Sequence, residues 1–215
     1  MIFRTLILSM LISLLWGCAT TTASVGASYS LDSNSANGLL VGSVKYSGLL
    51  SGYKVYFHGL DNDTSGYFEA GKGIMLIPIP PRSDFRGING VLQVTELSAG
   101  NYEISRWGVT SGYAHISQTQ PFSIKFKIEP GKATYIGSFV FSVTKKMGLT
   151  VTGVNVDFQE SYSEDVAILR QKYPGLEHAD IYMGLESNLL KKDIGGESST
   201  HWTMPPMFLF LPAGG

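Results

Sequence analysis

Apolar and polar residues alternate most strictly in "FSIKFKI". Phe122, Ile124, Phe126 and Ile128 fall on one side of an extended chain, and Ser123, Lys125 and Lys127 on the other, which predicts a half-buried strand with one wet face. Glu129-Pro130-Gly131-Lys132 follows with Pro second and Gly third, the order a type II turn requires. "ATYIGSFVFSV" then returns as a strand, and "LTVTGVNVDF" continues with Val154, Val156 and Phe158 in alternation. Upstream, "GLLVGSVKYSG" and "YKVYFHGL" are strand-like runs separated by turn residues at 48–52. "GVLQVTEL", Ser98-Ala99-Gly100-Asn101 and "YEISRW" read as a hairpin, with Gly and Asn able to take positive φ. "GIMLIPIPP" is apolar, but Pro78, Pro80 and Pro81 confine it to an edge or a strand end. About eight or nine short strands with frequent turn signals predict a mostly β chain folded as an antiparallel β-sandwich.

One stretch changes period. Ser161-Tyr162-Ser163-Glu164 has capping-box spacing, Val166, Leu169 and Tyr173 share a helical face, and Pro174-Gly175 stops the run. A single short helix is expected there, packed on a sheet or closing one end of the sandwich. Beyond it the pattern weakens: "KKDIGGESST" reads as loop, and "MFLFLPAGG" as an apolar tail able to add an edge strand.

The amino terminus has a different pattern. Arg4 and the terminal amine give a positive start, and Leu6 to Trp16 is apolar apart from Ser9 and Ser13. Such a run is about half of what crossing a ~30 Å hydrocarbon core needs. Its plan is that of a secretory signal. Residues 19–37, "ATTTASVGASYSLDSNSAN", are mostly Ala, Ser, Thr and Asn and read as a flexible spacer with a reach of ~25 Å.

Leu15-Trp16-Gly17-Cys18 holds the chain's only cysteine, placed immediately after the apolar run. It resembles the lipobox of bacterial lipoproteins. The resemblance implies cleavage before Cys18, diacylglycerol on its thiol and an acyl chain such as palmitate on the new amino group. Anchoring by several chains is the physically stable form, since one chain alone binds at only ~10⁴ M⁻¹. Ala19, where an Asp would favour retention in the inner membrane, implies the outer membrane of a two-membrane envelope. The expected organisation is therefore a signal peptide at 1–17, acylated Cys18 and spacer at 18–37, a β-sandwich at 38–160, and a helix with irregular extension at 161–215.

Leu97-Ser98-Ala99-Gly100-Asn101-Tyr102-Glu103-Ile104 is similar to the Leu-x-x-Gly-x-Tyr-x-Ile pattern of prealbumin-like and carboxypeptidase-regulatory-like β-sandwiches. "IEPGKATYIGSF" looks like segments of small bacterial lipoproteins that carry such a domain. The resemblance implies a binding or scaffold module and carries over no catalytic residue; fold alone does not define function.

Composition narrows the chemistry. A net charge of −1 supplies no basic field for nucleic acid. One cysteine excludes an internal disulfide and a cysteine-rich zinc site. Asp61-Asn62-Asp63-Thr64-Ser65-Gly66, with Phe68 at the eighth position, resembles the opening of a calcium loop, but Lys72 stands where a bidentate acid belongs. A polar loop whose Asx side chains bond the backbone is the expected reading. His58, His115, His178 and His201 lack metal-ligand spacing, and Gly71-Lys72-Gly73 lacks the strand, helix and third glycine of a dinucleotide site. No nucleophile elbow occurs. Glu96 and Glu103 would face each other across the expected hairpin, and Trp107 and Trp202 could stack on sugars or simply close the sandwich ends.

No metal or cofactor is expected. The reading is a non-catalytic envelope lipoprotein, joined to the membrane by lipid on Cys18, that presents a sandwich surface to an envelope protein or polysaccharide. The alternatives are an envelope hydrolase acting on glycan or peptide, and an assembly subunit that offers its C-terminal tail for strand addition.

Overall fold

The computed structural model describes residues 24–48, 51–72, 82–185 and 191–203. The signal segment, Cys18, "GIMLIPIPP" and "MFLFLPAGG" lie outside these residues. Among the described residues eleven strands are formed: β1 Asn37–Tyr46, β2 Gly52–Gly59, β3 Ser65–Gly71, β4 Asn89–Ser98, β5 Gly100–Ser111, β6 Ala114–Gln118, β7 Ile124–Ile128, β8 Ala133–Met147, β9 Thr150–Gln159, β10 Ile181–Met183 and β11 Ser198–Trp202. Helix α1, Tyr162–Lys172, precedes a short 3-10 turn at Pro174–Leu176. Among the described residues no helix is long and apolar enough to cross a membrane.

The strands build two stacked sheets. The five-stranded sheet has the order β10-β8-β1-β4, with β9 pairing further along β8; the six-stranded sheet has the order β11-β6-β5-β2-β3, with β7 on β5. The expected mostly β sandwich with one helix is what forms. Most pairings are antiparallel, but β1 and β10 run parallel to β8. Between the sheets lies the main core, including Tyr53, Phe57, Phe68, Tyr102, Trp107 and Phe141.

The five-stranded sheet is buried on both faces around β1, while the far half of β8 and one side of β9 stay open. Along β1, Leu40 and Val44 enter the core between the sheets, whereas Leu39 and Val41 join Leu92, Val94, Tyr135, Leu169 and Tyr173 beneath α1. This explains why "GLLVGSV" is nearly continuous in apolar character: a strand covered on both sides has no wet face to mark with polar residues. The order is therefore helix layer, inner sheet, outer sheet.

A bulge sets what lies under the helix. Val41 pairs with Tyr135 but Ser43 pairs with Ser138, so β8 gains one residue at Ile136–Gly137. The shift puts Tyr135 and Ser138 on the same face, toward α1. Gly137 holds φ +101, and a Cβ there would sit 2.9 Å from the Phe158 ring, so only glycine suits the bulge.

Several expectations are corrected. Leu97–Ile104 is not a hairpin: β4 pairs with β1 in one sheet and β5 with β2, β6 and β7 in the other, so Ala99 marks a crossing between sheets. The capping box at Ser161 is not closed by side chains. Instead Ser161 N–H donates to Tyr135 Oη at 3.1 Å, and Glu164 reaches Lys45 Nζ at 2.6 Å. The segment read as loop at 191–200 becomes β11 from Ser198 onward, and β10 and β11 place parts of 161–215 in both sheets. Residues 24–36 are not a free spacer: Val25, Tyr29 and Leu31 pack on the cluster beneath α1.

Side chains stitch the open edges of the sandwich. Gln93 Oε1 on β4 accepts the Glu69 N–H of edge strand β3 at 2.6 Å. At the opposite side Ser198 Oγ accepts the Val154 N–H at 3.0 Å, and Thr200 Oγ1 donates to Thr152 O at 2.6 Å. Backbone groups that would template another strand are thereby engaged.

Burial makes the fold sensitive to alkali. The Tyr53 hydroxyl is pushed up to about 12 by desolvation, and burial beside Asp165 pushes Tyr135 higher still. Above pH ~10 the unfolded chain loses these protons before the folded chain does, so stability falls as pH rises. Urea midpoints measured from pH 9 to 12 should decline, less steeply in Tyr53→Phe; an identical slope in that variant would contradict this assignment.

Candidate functional site

The outer face of the six-stranded sheet is its wet face. On β2, Tyr53, Val55 and Phe57 point into the core, which leaves Lys54, Tyr56 and His58 outside; β3 likewise presents Tyr67 and Glu69. Register aligns these side chains in pairs, Tyr56 with Tyr67 and Lys54 with Glu69. The two tyrosine rings lie 5.9 Å apart at 58°. Lys54 Nζ sits 4.2 Å from the centre of the Tyr67 ring and 3.6 Å from Glu69 Oε1.

Arg106 completes the cluster because of a second bulge. Tyr56 pairs with Arg106 but Phe57 pairs with Ile104, so Ser105 is the extra residue on β5. Before it Tyr102 and Ile104 face the core; after it Trp107 and Val109 do. Without this shift Arg106 would point inward. The bulged backbone is satisfied by one amide: Gln118 Nε2 donates to Ser105 O at 3.0 Å, and Gln118 Oε1 accepts the Trp107 N–H at 3.1 Å. The Arg106 guanidinium then lies 4.1 Å above the Tyr56 ring.

Beside the tyrosines, His58 Nε2 stands 3.5 Å from Glu103 Oε2, and Ser123 Oγ donates to Glu103 Oε1. The carboxylate is central here, so the imidazole does not contact the serine hydroxyl in the manner of a nucleophile and its base. A depression of about 310 Å³ is framed by Tyr56, His58, Ser65, Tyr67 and Arg106. A second one, about 400 Å³, lies between Leu31, Pro130, Lys132, His178 and Tyr182. The second is walled largely by turn segments and has one tyrosine ring, Tyr182, under Lys132, where the first has two neighbouring tyrosine rings each met by a cation, so the tyrosine–arginine face is the stronger candidate.

The other residues singled out in the sequence are dispersed. Glu96 lies on β4 and accepts from Asn37 Nδ2 at 3.0 Å, while Glu103 lies on the other sheet, so the two carboxylates do not meet. Asp61 Oδ2 accepts the Asn101 N–H at 3.1 Å and Asn101 Nδ2 at 2.6 Å; Asn62 Oδ1 accepts the Thr64 N–H at 2.9 Å. The 61–66 loop thus spends its acceptors on its own backbone and on β5, as an Asx-turn loop does. His115 and His201 are brought directly opposite each other across β6 and β11, a juxtaposition no local spacing could signal, and His178 is exposed after the 3-10 turn. Among the described residues no three His, Cys, Asp or Glu side chains group to hold a metal.

Trp107 is fully buried, so it closes the core and is no sugar platform; Trp202 is 41% exposed at the end of edge strand β11. Tyr56, Tyr67 and Arg106 lie apart in sequence and meet only through the pairing of β2 with β3 and β5. The usable signal was the alternation in "YKVYFHGL", whose off-phase residues are Lys54, Tyr56 and His58. No protein-family model, curated protein or solved structure matches this chain.

Proposed function

We propose that this chain is a non-catalytic lipoprotein of the cell envelope, acylated at Cys18 and held at the outer membrane, whose prealbumin-like sandwich engages an envelope protein through the wet face of the six-stranded sheet. The anchor rests on Leu15-Trp16-Gly17-Cys18 and the short apolar run before it. The binding reading rests on one observation: Tyr56, Tyr67 and Arg106 form a contiguous group on an otherwise charged sheet face. Tyr and Arg are the residue types that most often dominate protein interfaces. Cations cover one face of each ring, so a sugar stacking there would have to displace Arg106 or Lys54. That favours a protein partner over a polysaccharide.

A photo-crosslinking residue placed at Tyr67 in cells should yield a discrete protein adduct, and Arg106→Glu should abolish it while leaving the fold intact, because Arg106 is exposed. An adduct indifferent to Arg106→Glu, or none, would overturn the binding face. In parallel, intact mass of the native protein should show acyl chains on a chain beginning at Cys18, and Cys18→Ser should move the protein from the membrane to the soluble fraction.

A further inference from the structure

The distance between the anchor and the domain is far shorter than the composition of residues 19–37 suggests. Ser24 already belongs to the domain: it bridges to Thr95 on β4, and its Oγ donates to Val94 O at 3.0 Å and lies 3.3 Å from Tyr173 Oη. Val25 N–H donates to the same Val94 carbonyl at 2.8 Å, and Val25, Tyr29 and Leu31 pack beneath α1. Only residues 19–23 remain as tether. Whatever their conformation, six Cα–Cα steps from Cys18 to Ser24 span at most ~20 Å. A domain of this length has a radius of gyration of ~15 Å and so a width of about 40 Å. A tether shorter than the domain is wide cannot let it turn freely; the side that receives Ser24 stays at the membrane.

That side is defined by the fold. Ser24 attaches at the β4 edge of the inner sheet, close to α1 and on the same side of the sandwich as β3, whereas β6 and β11 close the opposite side. Charge differs along β4 on either side of the attachment. Toward Leu92, Lys172 Nζ binds Asp84 Oδ2 at 2.6 Å and Leu92 O at 2.9 Å, which fixes the 82–89 loop and the end of α1 there. With Asp84 paired to Lys172 and Glu164 to Lys45, exposed Arg82, Arg86 and Arg170 leave this end positive. Toward Ser98, Glu96 and Asp32 stand near Tyr29, whose hydroxyl is raised first by burial and then by these carboxylates, and the neighbouring Lys132 is paired to Glu129. An anionic lipid surface attracts the first end and repels the second.

We propose that, in the acylated protein, the β4 edge and the 82–89 loop face the bilayer, with Arg82, Arg86 and Arg170 at anionic headgroups and the opposite edge of the sandwich, β6 and β11, pointing away from the lipid. This rests on acylation at Cys18. Native acylated protein carrying one added cysteine, Arg86→Cys or Ser117→Cys, is labelled with a fluorophore and placed in vesicles of equal parts phosphatidylcholine and phosphatidylglycerol bearing a headgroup nitroxide. The label at 86 should lose most of its emission and the label at 117, on the wet face of β6, almost none. In the Ser117→Cys background, adding Arg82→Glu, Arg86→Glu and Arg170→Glu should bring quenching at 117 up by freeing the domain to tilt. Equal quenching at both positions in acylated protein, or stronger quenching at 117, would overturn the orientation alone. A free Cys18 thiol in the mass spectrum of the same sample would instead remove the anchor on which the orientation depends.

Discussion

Asp165→Ala is expected to destabilise the protein by about 3–5 kcal/mol, the range for stranding a buried ionic partner. For a domain of this size that corresponds to a fall in Tm of roughly 10–15 °C. Asp165 is fully buried between α1 and the inner sheet. Its Oδ2 receives Tyr135 Oη at 2.9 Å, and Ser43 Oγ and Ser138 Oγ lie 2.7 and 2.9 Å from it. The two serine oxygens are 2.5 Å apart, so their protons are shared between Oδ2 and the neighbouring hydroxyl. Oδ1 has no hydrogen-bond partner of good geometry and is compensated by Lys45 Nζ at 3.3 Å. Removing the carboxylate leaves Lys45, itself 3% exposed, with only the half-exposed Glu164 and the Phe85 ring, and leaves three hydroxyls without their acceptor. Asp165→Asn keeps an acceptor for the hydroxyls and should cost less. Removing the whole polar set together, Asp165→Ala and Lys45→Met with Ser43→Ala, Ser138→Ala and Tyr135→Phe, should recover much of the loss, because the buried charges and hydroxyls leave together and only the part-buried Ser161 N–H loses its acceptor. Urea denaturation of the three variants checks this. A cost below ~1 kcal/mol for Asp165→Ala would mean that the helix is held by its apolar face alone.

This network shows what the sequence could and could not disclose. Val166, Leu169 and Tyr173 announce a helix with one buried face, and the structure buries them. Asp165, one residue away, has no local mark that sets it apart from a solvated acid. Its burial depends on Ser43 and Ser138 from strands far apart in the chain, and on a bulge that turns Ser138 toward the helix. Glu164 likewise sits at the right spacing for a capping box, but a buried ammonium across the interface is a stronger partner than a terminal N–H, and the side chain goes to Lys45.

The same distinction runs through the sheets. "FSIKFKI" could be read correctly because a strand with one wet face writes its environment in a period of two: Ile124, Phe126 and Ile128 are buried, Lys125 and Lys127 exposed. Turn residues at 98–101 correctly marked a reversal, but nothing local says which sheet receives the next strand. Residues 24–36 pack on the domain despite their spacer-like composition, for a physical reason. Val25, Tyr29 and Leu31 are few among small polar residues, yet a shallow apolar surface beside α1 already exists to receive them, so little further ordering is needed. Where alternation breaks, as from Ile104 to Trp107, the sequence gives a real but cryptic sign of a bulge, and that bulge creates the candidate binding face by sending Arg106 outward.

Trp107→Ala is expected to cost about 3–5 kcal/mol, as removal of a fully buried aromatic does. The indole is edge-on to Phe141, with centroids 6.0 Å apart at 88°, in the centre of the core between the sheets. Its Nε1–H also donates to Ile194 O at 2.7 Å, in a buried contact that joins β5 to the segment leading into β11. Ile194 is held from the other side, where its N–H donates to Val156 O at 2.7 Å. Trp107→Phe separates the two contributions. It keeps much of the apolar volume but strands the Ile194 carbonyl, so it should cost roughly 1–3 kcal/mol and act locally. Its loss should appear as faster amide exchange and protease cleavage across 191–197, with the remaining sheet protected. Should Trp107→Phe match the parent in urea while 191–197 stays equally resistant to protease, the indole N–H would have no part in tying the C-terminal segment to the sandwich, and only its bulk would matter.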